Sequence, residues 1–274
     1  MNLSNLIAKS YINYCERMPN HRGRHWLARN LDSLFTSFQV KTQSDLILDI
    51  FLSSSMDLSY FNANENESHS KILDIIENLT EGDVFIDIGA NIGFFSLLAS
   101  KKIGESGRVY CFEPSPREFN RLFKNIQLNK RSNLLPYNIA LSDYMGESQF
   151  SVSESHTGLN SLSTIHGANN ILVPVCPGDL LMSQLKMNTR KVIKIDVEGA
   201  EFFVLSGIKK ILAQEGIEAV IVEITPKLLG HFNHTKEMIY ELMSDFGFHS
   251  TVNSDEWQYD EIFIKPSDEI SEAI

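Results

Sequence analysis

At 274 residues the chain is long enough to bury a core without disulfides or metals, and its apolar, aromatic and charged fractions are those of an ordinary globular protein. A formal net charge of −11 argues against broad nucleic-acid binding, which needs a basic face. Three widely spaced cysteines, Cys15, Cys111 and Cys176, with no C-x-x-C pair, offer no zinc ligand set and suit a reducing compartment.

Taken from the start, residues 1–36 read as helical and basic. Lys9, Arg17, Arg22, Arg24 and Arg29 stand against Glu16 alone in the first 30 residues, about +4. Trp26, Leu27, Leu31, Leu34 and Phe35 recur at helical spacing, so this segment either packs on the main domain or meets an anionic substrate or lipid surface. It has no signal-peptide h-region and the chain has no run long enough to span a bilayer, so a cytoplasmic protein is expected, with peripheral membrane contact by the basic start as the one membrane role left open. Residues 38–41 and 46–50 flank the polar Thr42–Asp45 and predict a β-hairpin. A polar loop follows over 62–70, then a helical period over Lys71–Leu79.

From residue 83 apolar, β-branched runs alternate with amphipathic ones. Strands are expected at Val84–Ile88, Val109–Phe112, Leu134–Leu141, Val192–Val197 and Ala219–Ile224, and helices at Phe94–Lys102, Pro116–Asn129, Ala200–Ala213 and Thr235–Phe246. Short buried strands alternating with helices imply βαβ units and a doubly wound α/β fold with a mostly parallel sheet. Phe248–Asn253 and Tyr259–Lys265 predict an antiparallel hairpin closing one sheet edge. The expected organisation is an extension over 1–70, a main domain over 71–265 with an insertion at 142–190, and an acidic tail over 266–274.

Four motifs sit at the carboxyl ends of the expected strands. Asp87-Ile88-Gly89-Ala90-Asn91-Ile92-Gly93 leaves the first strand and opens a helix, where a doubly wound sheet has its ligand crevice. Gly89 and Gly93 permit a tight turn, Asn91 tolerates a left-handed backbone, and the helix start offers free N–H groups. The spacing is D-x-G-x-N-x-G, not G-x-G-x-x-G. An acid two positions before the first glycine repels a pyrophosphate and favours a cationic amino-acid head, such as the ammonium end of S-adenosylmethionine. Glu113, 20 residues after Gly93 at the end of the second strand, is placed to accept ribose hydroxyls. Ser142 and Asp143 end the third strand, near an adenine edge. Asp196, between Ile195 and Val197, is a charge in an apolar run, which is costly unless paired or used. Glu198 and Glu201 fall near a helix start, where carboxylates are stabilised.

Taken together, D-I-G-A-N-I-G-F-F-S, F-E-P-S-P, I-A-L-S-D and K-I-D-V-E-G-A-E, in this order over residues 60–226, resemble the FkbM-type methyltransferases. The resemblance implies the seven-stranded class I methyltransferase fold, S-adenosyl-L-methionine as methyl donor, and transfer mostly to a hydroxyl oxygen of a sugar, natural product or other small molecule. It implies a cofactor-binding set of Glu67, Asp87, Gly89, Asn91, Gly93, Glu113, Ser115, Ser142 and Asp196, with Asp196 near the reactive methyl. Gly158–Leu162 is similar to a motif of the family's variable region and reads as a substrate loop. Cys176-Pro177-Gly178-Asp179-Leu180-Leu181 departs from the Leu-Asp-Asp-Leu-like run expected there.

Methyl transfer needs acceptor and methyl held close and aligned, and a hydroxyl acceptor needs a base. Asp196 and Glu198 are the catalytic candidates, Glu223 and the insertion's His156 the alternatives. No metal site and no nucleic-acid partner is expected; the partner is a small-molecule or carbohydrate acceptor. Two other readings share the crevice: an NAD(P)-dependent oxidoreductase, disfavoured by Asp87 and Asn91, and a non-catalytic ligand-binding protein on the same fold.

Overall fold

The computed structural model describes residues 3–18, 21–35, 37–61, 67–152, 162, 169–182, 189–252 and 254–265. Two helices open the chain, α1 (Leu3–Arg17) and α2 (Arg22–Leu34). The single basic helical segment read from the sequence is therefore divided, and Pro19, which lacks an N–H, falls in the interval. The hairpin follows as β1 (Phe38–Lys41) and β2 (Ile47–Ile50), antiparallel, with Phe38 opposite Ile50. Next come α3 (Ser55–Ser59), capped by the Ser54 hydroxyl, and α4 (Glu67–Glu77).

The main sheet begins with β3 (Val84–Ile88), α5 (Phe94–Ile103), β4 (Arg108–Phe112), α6 (Pro116–Leu128) and β5 (Leu134–Tyr137). The chain then leaves the sheet for a small one made of β6 (Ala140–Leu141), β7 (Gly146–Val152) and β8 (Asn169–Cys176). After α7 (Gly178–Leu181) it returns through β9 (Lys191–Ile195), α8 (Glu201–Gly207), α9 (Lys209–Leu212), β10 (Ile217–Ile224), α10 (Pro226–Leu229), α11 (Lys236–Asp245), β11 (His249–Ser250) and β12 (Tyr259–Ile264). The seven-stranded order is β11-β12-β10-β9-β3-β4-β5, parallel from β10 to β5, with β12 antiparallel to β10. The order reverses between β3 and β9, so their carboxyl ends open a crevice.

Every residue of β3 and β9 is buried, as strands covered on both faces require. One apolar layer joins Phe85, Val109, Val192 and Ile221 to α4, α5 and α6, and to Ala8, Tyr11, Phe38 and Leu48 of the N-terminal elements. The other joins Ile86, Ile193, Val220 and Val222 to α8, α9 and α11. Each fully buried Ile, Val or Phe contributes roughly 1.5–3 kcal/mol, so these two layers hold the sheet.

Two further expected elements are divided. The run 134–141 breaks at Asn138, whose side-chain amide donates to the carbonyls of Glu113 and Pro114 and turns the chain out of the sheet. The helix expected over 200–213 breaks between α8 and α9, beside Gly207. A Cβ on Gly207 would stand 1.9 Å from the Ser142 carbonyl oxygen, so the helix approaches the β6 end as closely as only glycine permits.

The N-terminal elements are tied to α6 by polar contacts as well as by packing. Asn125 and Asn129 bond the β2 backbone at Asp49 and Ile47. The Arg121 guanidinium pairs with the buried Asp57 of α3 and donates to the Asp49 carbonyl at 2.9 Å. Replacing Arg121 with Met strands a buried carboxylate, and denaturant unfolding is expected to show a loss of about 3–5 kcal/mol. Lys41→Ala, which removes an exposed ion pair with Asp45, is expected to leave the midpoint nearly unchanged.

Candidate active site

The turn from β3 into α5 builds one end of the crevice. Gly89 (φ 83), Asn91 (φ 51) and Gly93 (φ 87) all adopt left-handed backbone. The amides of Gly89 and Ala90 donate to the Phe112 carbonyl at 2.9 and 3.0 Å, clamping the turn to the end of β4. A Cβ on Gly89 would meet the Asp196 carbonyl oxygen at 1.8 Å, so this glycine lets the turn pack against the β9 end. Glu113 is buried under the turn and accepts the amides of Asn91 and Ser115, each at 2.9 Å. Burial pushes its carboxyl up to about 8, the Ser115 amide opposing and Glu118 adding to the rise.

At the other end stands a lysine among acids. Lys194 of β9 lies beside Asp87 of β3, its ammonium 3.7 Å from Asp87 Oδ1 and 3.0 Å from Asp196 Oδ2, and 5.4 Å from the Phe95 ring centre. Burial disfavours its charge, but Asp196 and Asp87 outweigh this and hold the ammonium protonated well above its ordinary range. Ser96 donates to Asp87 Oδ2 at 2.6 Å.

Asp196, Glu198 and Glu223 bring carboxylate oxygens within 4.8 Å of one another. That spacing suits a cation, and the Lys194 ammonium already stands beside it. Asp260 of β12 is registered directly opposite Glu223. Burial and then Asp196 push Asp260 up to about 6. Burial, Asp196 and Glu201 push Glu198 up to about 8. Burial, then Asp196, Glu198 and Asp260, hold Glu223 far above its ordinary value, although Gln258 donates to it at 2.8 Å. Glu198 (φ 56) and Gly199 (φ 102) form a second left-handed turn, the kind of strain that clusters at functional sites.

One cavity connects both ends. Gly89, Asn91, Glu113, Asp196 and Glu198 line it, as do Lys194, Glu223 and Asp260, with Ile139, Leu141, Phe150 and Leu162 as an apolar wall and Met56 and Tyr60 facing from α3. Four residues expected at the cofactor stand back from the wall. Asp87 is turned to Lys194 and Ser96, and Gly93 packs under Leu122. Ser115 stands at the start of α6 and its hydroxyl donates to the Glu118 carboxylate, and Ser142 faces Asp143 at 3.3 Å. Glu67 begins α4, but its side chain, His156 and the loop residues Gly158–Ser161 lie outside the described residues.

The sequence reading missed Lys194, Asp260, Met56 and Tyr60. A lysine inside the apolar run of β9 carries the same signal that singled out Asp196. Asp260 and α3 reach the cavity through tertiary packing and leave no local trace.

Residues 87–250 match the profile described as the methyltransferase FkbM domain. The chain belongs to the FkbM methyltransferase family. It is 32% identical over 151 residues to hexuronic acid methyltransferase AglP of Haloferax volcanii, covering 55% of this chain and 59% of that one. It is 32% identical over 155 residues to a tRNA (guanine(37)-N(1))-methyltransferase of Plasmodium knowlesi, covering 47% of this chain and 21% of that one. The chain thus spans less than two thirds of either relative. Aeropyrum pernix fibrillarin, solved with bound S-adenosyl-L-methionine, aligns with a TM-score of 0.45 at 14% identity, covering 84% of this chain and 82% of that one.

Family membership implies S-adenosyl-L-methionine as cofactor, and the cavity's donor set fits it. Glu113 would keep lone pairs for ribose hydroxyls, Ile139 and Leu141 would give an apolar wall for a flat base, and the acids around Asp196 would answer the cationic sulfonium and ammonium groups.

These acids make the apoprotein pH-sensitive. Glu113, Glu198 and Asp260 are each raised above their ordinary values, so the folded chain holds protons that the unfolded chain has released. The stability they give is fully present below about pH 3.8 for Asp260 and 4.5 for the two glutamates, and is lost as pH rises through about 6 for Asp260 and about 8 for Glu113 and Glu198. Scanning calorimetry of the apoprotein should show the melting midpoint falling between pH 5 and pH 8.5, with a shallower fall in Glu198→Gln.

Proposed function

We propose that the protein is an S-adenosylmethionine-dependent methyltransferase that methylates a hydroxyl oxygen of a sugar or related small molecule. The observation that carries this reading is the acid cluster on the cavity wall, where Glu198, raised to about 8, stands within 4.8 Å of Asp196 and Glu223. A carboxylate with a pKa near the working pH is an effective proton acceptor for a hydroxyl. Five acids line the cavity, which disfavours a phosphate-rich acceptor and suits an uncharged polyol. The similarity to a hexuronic acid methyltransferase supports a sugar, and the net charge of −11 weighs against the tRNA acceptor named for other relatives.

The bound cofactor supplies an electrophilic methyl on a sulfonium. The chain's own residues do the rest. Glu113 and the Asn91 turn orient the nucleoside end. Asp196, fixed by Lys194, positions the acceptor hydroxyl, and Glu198 takes its proton. The left-handed turn at Glu198 and Gly199 fixes that carboxylate against the cavity.

Calorimetric titration is expected to show S-adenosylmethionine binding, no NADH binding, and an affinity loss of about tenfold or more in Glu113→Ala. Binding of NADH instead would favour the oxidoreductase reading. With tritiated-methyl donor and a panel of hexoses, hexuronic acids and their glycosides, turnover should rise with pH to a plateau above about 8 as Glu198 ionises. Glu198→Gln should lower kcat by roughly 10²–10⁴ while donor affinity persists. Label entering a tRNA transcript and no sugar would sink the acceptor assignment.

A further inference from the structure

We infer that the cavity between α1, α2 and α3 binds a phosphate-class oxyanion. This cavity is separate from the acid-lined one, and the inference does not depend on methyl transfer. Its volume is about 240 Å³, below the roughly 300–1,000 Å³ of sites that hold drug-sized ligands, so it suits a small group. Arg24, His25, Ser53, Ser55 and Ser59 line it.

The donors converge and are largely uncommitted. The half-buried Arg24 spends one N–H on the Cys15 carbonyl at 3.5 Å, a long contact, also meets the Tyr11 hydroxyl, and forms no ion pair with a carboxylate among the described residues. A guanidinium has five donors in a fixed fork that matches phosphate oxygens. The nearby acid, Asp32, is already engaged by the amides of Leu52 and Ser53 at 2.9 and 2.8 Å. The Ser59 hydroxyl donates to the Met56 carbonyl at 2.7 Å, which leaves Ser53 and Ser55 as the hydroxyl donors to an anion.

The surrounding field has the right sign. Lys9, Arg17, Arg22 and Arg29 are exposed on α1 and α2, and residues 1–30 carry about +4 in a chain of net −11. Helix α3 divides two opposite environments. Met56 faces the acid-lined cavity, while Ser55, Leu58 and Ser59 face this one. A phosphoryl group is repelled on the first side of α3 and accepted on the second.

The group can come from free phosphate or from a phospholipid headgroup. Two arms separate them: calorimetric titration with inorganic phosphate against chloride at constant ionic strength, and co-sedimentation with phosphatidylcholine vesicles with and without phosphatidic acid. Trp26, exposed beside His25, gives a second readout through its fluorescence once Trp257 is replaced by Phe. The expected result is saturable phosphate binding, weakened about tenfold or more in Arg24→Gln and restored in part by Arg24→Lys. If Arg24→Gln fails to fold, as judged by circular dichroism, His25→Gln, an exposed change, carries the same expectation. Binding to phosphatidic-acid vesicles that Arg24→Gln abolishes, without free-phosphate binding, assigns the headgroup source. No phosphate effect beyond chloride together with no vesicle binding overturns the inference, as does any binding that both variants retain in full.

Discussion

The site rests on one buried ammonium. Lys194 stands on the middle strand of the sheet with Asp87 at 3.7 Å on the neighbouring strand and Asp196 at 3.0 Å above it. A lone lysine there would be neutral or would not fold, and lone acids would be protonated. Together they keep charge inside the sheet, and the charge fixes where Asp196 points. Through Asp196 it reaches Glu198, Glu223 and Asp260, whose protons depend on how much of the lysine's field is left to them. Replacing such an arrangement by apolar residues often costs a fold little, so its presence on the cavity wall speaks for chemistry more than for stability.

The parallel sheet was legible because its strands are buried on both faces, and continuous apolar runs such as Val84–Ile88 have few other homes. The division of 134–141 was not, because the apolar run continues on both sides of Asn138 and the exit depends on where the Asn138 amide finds carbonyls. The break at Gly207 depends likewise on a carbonyl distant in sequence, that of Ser142 just past β6. Periodicity reports which face is buried, not what is pressed against it.

The candidate site divides along the same line. Gly89, Asn91, Glu113, Asp196 and Glu198 are legible because a strand's carboxyl end at an order reversal opens on the crevice. Asp87 is recognisable as a buried charge, yet it answers a lysine of this chain rather than facing the cavity. Asp260 enters from the antiparallel closing strand through its pairing with Glu223, and α3 enters through its tie to Arg121. Both are products of assembly, with no local pattern to announce them.

The crevice lies between strands that are far apart along the chain. Arg190 and Asp83, which meet at 2.7 Å beside the start of those strands, are 107 residues apart in sequence. The small sheet of β6, β7 and β8 must be threaded out between them. Long-range parallel pairing is slow, because the closure entropy comes before the contacts that offset it. During synthesis the Gly89 turn and Glu113 emerge well before the strand that completes their cavity. Until β9 docks, Asp87 has no lysine to face and the crevice has only one wall. A chain that ends before β9 therefore carries the Gly89 turn and Glu113 but lacks the wall that faces them.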